Sequence, residues 1–153
     1  MKPLIELLIK NKLTLASCES LTGGLFAAVF TETAGVGSVF KGSLVVYCNE
    51  AKIKLAKVSP STLEKYGTIS AECAKEMATN IQKILGTDLV ISFTGNAGPT
   101  VQENKPVGLV YIGLAIKDNL ISKEFHFSGS REEIRKKTVE AGINLIKDKL
   151  LSK

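Results

Sequence analysis

The chain has 153 residues, 44% of them hydrophobic and 23% charged, with a net charge of +5 and a pI near 9.1. That length suits one domain burying roughly two thirds of its unfolded surface, and no apolar run reaches the ~18 residues a membrane span requires. Three widely spaced cysteines (Cys18, Cys48, Cys73), no C-x-x-C pair and a single histidine, His126, argue against a disulfide framework or a metal site and suit a reducing cytoplasm.

The basic balance raises nucleic acid as a partner. Lysines interleaved with Glu and Asp, no tryptophan and 6% aromatic residues instead fit a solvated basic surface open to an anionic small substrate. The opening, Met1 to Glu6, carries an acidic residue in a short apolar run and no small-residue cleavage site, so it does not read as a signal peptide.

In chain order, Leu4, Leu7 and Leu8 predict a helix ending near Asn11. A strand over Leu13–Ala16 follows, then a break at Ser20 and a helix from Leu25 to about Thr33. After the Ala34–Ser38 loop, Gly42–Cys48 is a continuous apolar run, as expected of a strand covered on both faces. Asn49 is the expected N-cap of a helix over Glu50–Leu55. Ser59-Pro60 opens a short helix ending near Gly67. Ser70 caps the next, whose stripe Ala71, Ala74, Met77, Ala78, Ile81 and Leu85 ends at Gly86. Strands over Asp88–Thr94, Val107–Ile116 and Leu120–Phe127 follow, the last two as an antiparallel hairpin turning at Lys117–Asn119. Ser130 and Glu133 form a capping box for a final helix with Ile134, Thr138, Ala141 and Leu145 on one face. Strands alternating with helices, plus a late hairpin, predict one three-layer α/β/α domain over 1–153 around a mixed, mainly parallel sheet.

Three predicted strand ends carry chemistry: Ser20-Leu21-Thr22-Gly23-Gly24, Tyr47-Cys48-Asn49-Glu50-Ala51-Lys52, and Thr94-Gly95-Asn96-Ala97-Gly98-Pro99. Carboxyl ends of parallel strands converge on one crevice, which brings Ser20, Lys52 and Thr94 together if their strands are neighbours. A serine nucleophile needs a base. With one histidine near a hairpin end, lysine is the better candidate, and it works only when neutral. Lowering a lysine from about 10.4 to near 7 costs roughly 4–5 kcal/mol. A helix start supplies about 0.3–1 kcal/mol of that, up to ~2 when partly buried. The rest must come from burial or a second cation, for which Arg131 is a candidate. Arg131 is equally a candidate for an anionic substrate group, and Tyr47 for a proton relay or for orienting Lys52.

Plainer readings stand beside these. Ser20 or Thr22 is an N-cap, Lys52 a solvated helix lysine and Tyr47 a core aromatic with a wet hydroxyl. The Gly95–Pro99 loop is then a turn and Arg131 helix-surface charge. Cys18 and Cys48 have no visible base, so a thiol nucleophile is disfavoured.

Taken together with Tyr66-Gly67-Thr68-Ile69-Ser70, Lys105-Pro106-Val107-Gly108 and Phe127-Ser128-Gly129-Ser130-Arg131, these motifs resemble in order and spacing the CinA C-terminal domain family. These are bacterial nicotinamide-nucleotide amidohydrolases, or NMN deamidases, and the resemblance spans nearly the whole chain. It implies metal-free and cofactor-free hydrolysis of nicotinamide mononucleotide to nicotinate mononucleotide and ammonia, on an α/β/α fold in a cytoplasmic homodimer. Carried over by motif, Ser20 is the nucleophile, Lys52 its base and Tyr47 an assistant. Thr94 and the Gly95–Pro99 loop line the pocket, and Arg131 contacts substrate or transition state. Helix-start geometry suggests the Gly23 and Gly24 amides as oxyanion donors. Two features depart from the family pattern: Asn96 replaces an apolar residue, and Thr100-Val101-Gln102-Glu103-Asn104 replaces a glycine-rich insert. The family's N-terminal domain, associated with pyrophosphatase chemistry, has no counterpart in this sequence, so that activity is not expected. The family's name comes from competence, which leaves a non-catalytic binding or regulatory role in DNA uptake or recombination as the alternative.

Overall fold

Side chains alternate between two apolar clusters along the central strands, and that alternation builds the layers. The computed structural model describes residues 1–152. In β1 (Leu15–Glu19), Leu15 joins one cluster while Ala16 and Cys18 join the other. In β3 (Leu89–Gly95), Leu89, Ile91 and Phe93 join the first and Val90 the second. This is the period-2 reading of a strand buried on both faces.

The first face carries α1 (Lys2–Lys10), α2 (Leu25–Thr31) and α6 (Arg131–Leu151), through Leu4, Leu8, Phe26, Phe30, Ile134 and Ile146. The opposite face carries α5 (Ala71–Leu85), through Cys73, Met77, Ala78 and Ile81. On that side lie also α3 (Asn49–Lys54) and α4 (Pro60–Tyr66), with Ala56 and Val58 between them in the cluster. Helix α6 approaches β3 closely at Gly142, where a Cβ would lie 2.6 Å from the Phe93 ring. Phe26 packs on Phe93 from the same side, ring centroids 5.5 Å apart.

The sheet order is β2-β1-β3-β4-β5, with β2 at Phe40–Val45, β4 at Leu109–Ile116 and β5 at Asn119–His126. β1 runs parallel to both β2 and β3, whereas β3–β4 and β4–β5 are antiparallel. The result is the expected α/β domain with a mixed sheet and a late hairpin. Its consequence for function is that β2, β1 and β3 all deliver their carboxyl ends to one edge.

Several local expectations need correction. β1 is shifted toward Ser20, running to Glu19 rather than stopping at Ala16. β2 is an edge strand, half exposed along its length, because it pairs with β1 alone; its apolar run did not mean cover on both faces. The N-cap of α3 is Cys48, whose Sγ accepts from Ala51 N–H at 3.5 Å, with Asn49 one place inside the helix. The caps at Ser59, Ser70 and the Ser130–Glu133 box are formed as predicted.

Candidate active site

Ser20 is the first residue past β1. Its N–H donates to Phe93 O (3.0 Å), tying the strand end to β3, and its side chain stands at the carboxyl edge of the sheet. The chain then turns sharply into α2 through Gly23 (φ 57°) and Gly24 (φ 100°). Left-handed backbone of this kind costs a residue with a Cβ about 1–2 kcal/mol, so glycine is the residue for it.

Neither Ser20 nor Thr22 caps α2. Gly24 occupies the cap position, and Thr22 Oγ1 is buried without a hydrogen-bond partner. Glu19 does the capping. Fully buried, it turns its carboxylate beneath the helix. Oε2 accepts from Gly24 N–H (3.0 Å) and Phe26 N–H (3.1 Å), and Oε1 from Ala27 N–H (3.0 Å). The hydroxyls of Ser17 and Ser43 each lie 3.2 Å from Oε1. An acidic group at a helix start meets unpaired amides and the positive end of the macrodipole together. The Gly23 amide is taken as well, donating to Ser20 O at 3.0 Å. Gly23 and Gly24 therefore shape the turn, but in this geometry their amides already have acceptors and are not the spare donors an oxyanion needs.

Lys52 comes from the other side. It is 1% exposed, in the last turn of the short helix α3, and its Nζ lies 2.9 Å from Ser20 Oγ. Nζ also donates to the carbonyls of Val46 (3.0 Å) and Tyr47 (3.2 Å), where β2 bends away from the sheet edge. A neutral amine has two N–H groups and one lone pair. Two backbone carbonyls hold the two N–H groups, which leaves the lone pair for the Ser20 hydroxyl proton. Burial lowers the Lys52 pKa, and the charges of Cys73, Cys18, Cys48 and Glu103 oppose it. The thiols oppose it only as thiolates. Burial itself pushes Cys18 up to about 12 and Cys73 to about 11, so both are neutral at physiological pH. Arg131 is not among the causes; desolvation lowers Lys52, in place of the second cation considered from sequence.

Above this pair is a cavity of about 60 Å³ lined by Ser20, Lys52, Thr94, Gly95, Tyr47 and Arg131, with Thr68, Asn96 and Gln102 among its other walls. Thr94 Oγ1 donates to Thr68 O (2.6 Å), closing the wall rather than facing an occupant. The Arg131 guanidinium spans the mouth, donating to Gly98 O (2.6 Å) and Tyr47 Oη (2.7 Å). Tyr47 thus holds Lys52 through its backbone carbonyl, while its hydroxyl belongs to Arg131. Gln102 reaches the cavity because its loop is strapped down. Glu103 accepts from the Thr68 and Ile69 amides (both 3.0 Å), and Lys105 donates to Tyr66 O (2.8 Å) and Ile69 O (2.5 Å). Among the described residues no cluster of His, Cys, Asp or Glu could hold a metal ion, and no helix is long and apolar enough to cross a membrane.

Sequence reasoning missed Glu19, Arg135, Thr68 and Gln102. Glu19 was visible as an acidic residue just before a glycine-rich helix start. Arg135 was visible one helical turn beyond Arg131. Thr68 and Gln102 carried no local signal, because only the long-range strap brings them to the cavity.

Known proteins are similar to this chain along nearly its whole length. A protein of Bacillus cytotoxicus described as competence-damage inducible is 50% identical over 147 residues, covering 95% of this chain and 36% of that protein; the chain thus spans about a third of the length of the curated relatives it matches. The crystal structure of a competence or damage-inducible protein from Enterobacter asburiae superposes with a TM-score of 0.96 at 28% identity, covering 97% of this chain and 94% of that one. The competence/damage inducible protein CihA from Agrobacterium tumefaciens superposes at 0.92 with 31% identity, covering 96% and 91%. The model of the CinA C-terminal domain matches residues 1–150, and with the fold and the strand-end motifs in agreement, the chain belongs to the CinA C-terminal domain family.

Proposed function

We propose that this protein is a serine amidohydrolase using a Ser20–Lys52 pair, and that its substrate is nicotinamide mononucleotide. The observation carrying the reading is a lysine, 1% exposed, with Nζ 2.9 Å from the hydroxyl of a serine in a sharp turn. A solvated helix lysine would not be buried, and a merely structural one would be paired with a carboxylate.

In the proposed reaction Ser20 Oγ attacks the carboxamide carbon as its proton passes to Lys52 Nζ. The tetrahedral intermediate collapses when the lysinium returns that proton to the leaving nitrogen, releasing ammonia and leaving an ester on Ser20. Water then adds to the ester as Lys52 takes one of its protons, that proton passes to Ser20 Oγ as the acyl–oxygen bond breaks, and the released carboxylic acid gives its remaining proton to ammonia or solvent. A 60 Å³ cavity has room for an amide-sized head and not for a nucleotide, whose pockets run to roughly 300 Å³ or more. The ribose and phosphate would lie across the mouth, where the Arg131 guanidinium is placed to meet an anion.

Purified protein incubated with nicotinamide mononucleotide is expected to release one ammonia per nicotinate mononucleotide formed. Ser20→Ala and Lys52→Ala are each expected to lower kcat by about 10⁴-fold or more, with thermal unfolding still cooperative. Absence of ammonia from a folded wild type would turn the reading to a binding or regulatory protein. Turnover retained in either variant would remove that residue from the mechanism.

A further inference from the structure

One charged side chain grips the Ser20 turn from outside the cavity. Arg135, half-buried in the second turn of α6, donates from Nε to Leu21 O (3.0 Å) and from Nη2 to Thr22 O (2.8 Å). These bonds join the last helix to the turn across more than a hundred positions. Glu19 holds the far end of the same turn through the Gly24 amide (3.0 Å). Between them nearly every peptide group of the turn is committed. Ser20 O accepts from Gly23 N–H (3.0 Å), and Thr22 O accepts from Leu25 N–H (2.9 Å) as well as from Arg135. The two amides left without an acceptor among the described residues are those of Leu21 and Thr22.

A trans peptide is planar, with its C=O and N–H pointing opposite ways. A guanidinium holding Leu21 O therefore fixes the direction of the Thr22 N–H and, by polarising the carbonyl, strengthens that N–H as a donor. The Ser20–Leu21 peptide is fixed in turn by the Gly23 N–H on Ser20 O, which sets the Leu21 N–H. Amides immediately following a nucleophile are natural donors to the oxygen that becomes negative when the nucleophile attacks a carbonyl.

We infer that Arg135 is a positioning residue for the Ser20 turn: by holding Leu21 O it directs the Thr22 N–H, and by holding Thr22 O it directs the Gly23 N–H onto Ser20 O, which in turn sets the Leu21 N–H, so that the amides of Leu21 and Thr22, rather than of Gly23 and Gly24, serve as oxyanion donors. This rests on the hydrolase reading and adds to it a residue that touches neither substrate nor the reacting atoms.

The experiment compares wild type, Arg135→Met and Arg135→Lys in two assays. The first is ammonia release at saturating nicotinamide mononucleotide. The second is covalent labelling of Ser20 by an alkyl fluorophosphonate, read by intact mass: Oγ bonds to phosphorus, fluoride leaves, and the hydroxyl proton passes to Lys52. Arg135→Met is expected to lower kcat and the labelling rate together by about 10²–10³-fold, the loss typical of one missing oxyanion donor. KM stays within about threefold of wild type, since Arg135 does not contact substrate. Arg135→Lys, able to hold one carbonyl, falls between, and added guanidinium restores part of the Arg135→Met loss. Equal labelling and kcat in wild type and Arg135→Met would overturn the inference. So would a change confined to KM, or a loss in Arg135→Lys matching only its fraction unfolded, the deciding case if Arg135→Met does not fold. Labelled wild type that releases no ammonia would end the nucleotide reading alone, with Arg135 judged on labelling. Wild type inert in both assays would end both.

Discussion

On the α2 side of Ser20, the buried carboxylate of Glu19 meets three helix amides and two hydroxyls. On the α3 side, the equally buried amine of Lys52 meets two carbonyls and the Ser20 hydroxyl, with no carboxylate paired to it among the described residues. Both groups are paid for in desolvation. Glu19 recovers that cost from a full set of donors at a positive helix end, whereas Lys52 is left without a countercharge. The difference separates a group that holds the fold from one that performs chemistry. A lysine kept short of partners gives up its proton more readily and so becomes a base.

The sharpest way to break this comparison is to truncate each member. Glu19→Ala orphans three amides at the start of α2, one buried and two part-buried, and is expected to cost about 3–5 kcal/mol. In a chain of this size that lowers the melting temperature by roughly 10 °C. Lys52→Met, of similar length and without charge, is expected to stay within about 1 kcal/mol of wild type while losing turnover, because relief of burial offsets the lost hydrogen bonds. Chemical denaturation of both variants measures this; equal destabilisation would erase the distinction.

Titration sharpens the same contrast. The folded pKa of Lys52 lies below its ordinary 10.5, so between the two values the unfolded chain binds a proton that the folded chain does not. Stability therefore rises with pH through that window, by at most about 1.4 kcal/mol per unit. The gain is complete above the ordinary value and lost as pH falls through the folded one. Wild type minus Lys52→Met, measured by denaturation from pH 7 to pH 10, is expected to show this rise, and wild-type kcat/KM is expected to climb as Lys52 loses its proton. A flat difference would show that burial does not hold the amine neutral.

A smaller effect is expected at the opposite end of the sheet. There Thr14 donates from its N–H and its hydroxyl to Asp88 (both 2.8 Å), a staple beneath β1 and β3 with no part in the site. The Thr14 N–H is the main reason the Asp88 carboxyl sits below its usual range. The staple's contribution is present above the ordinary carboxylate pKa and is lost as pH falls through the lowered value. Asp88→Asn is expected to cost about 1 kcal/mol and to leave kcat unchanged; a change in turnover would mean that the two ends of the sheet are coupled.

The smallest effect concerns the thiols. Cys48 is exposed, and Cys18 and Cys73 are buried. One equivalent of a thiol reagent is expected to add to the folded protein, at Cys48, and three after unfolding, as read by mass. Reaction at Cys18 or Cys73 in the native state would show that the Lys52 side opens.

Much of this was legible in the chain itself. Caps at Ser59, Ser70 and Ser130 are local hydroxyl-to-amide contacts, decided within four residues, so their sequence signatures sufficed. Some failures were local, as where the cap of α3 fell on Cys48 one residue before Asn49, and others turned on burial and strand neighbours that no local signal carries. The apolar run in β2 says nothing of how many neighbours the strand has, and β2 proved to be an edge. The hydroxyls of Ser20 and Thr22 looked like caps because those residue types usually are, until a buried carboxylate one residue earlier took the amides. Composition could place Lys52 on a helix but not inside the protein.

The order of residues determined the alternation of strands and helices, the glycines that allow the turn after Ser20, and the motifs that mark the family. Only the packed structure decided that Lys52 is buried against Ser20, that Glu19 takes the start of α2 and that Arg135 holds the turn. The physical reason is that Glu19 and Lys52 depend on burial, and Lys52 and Arg135 on partners brought together from distant parts of the chain. Propensity is local, whereas desolvation and hydrogen-bond satisfaction are properties of the assembled core.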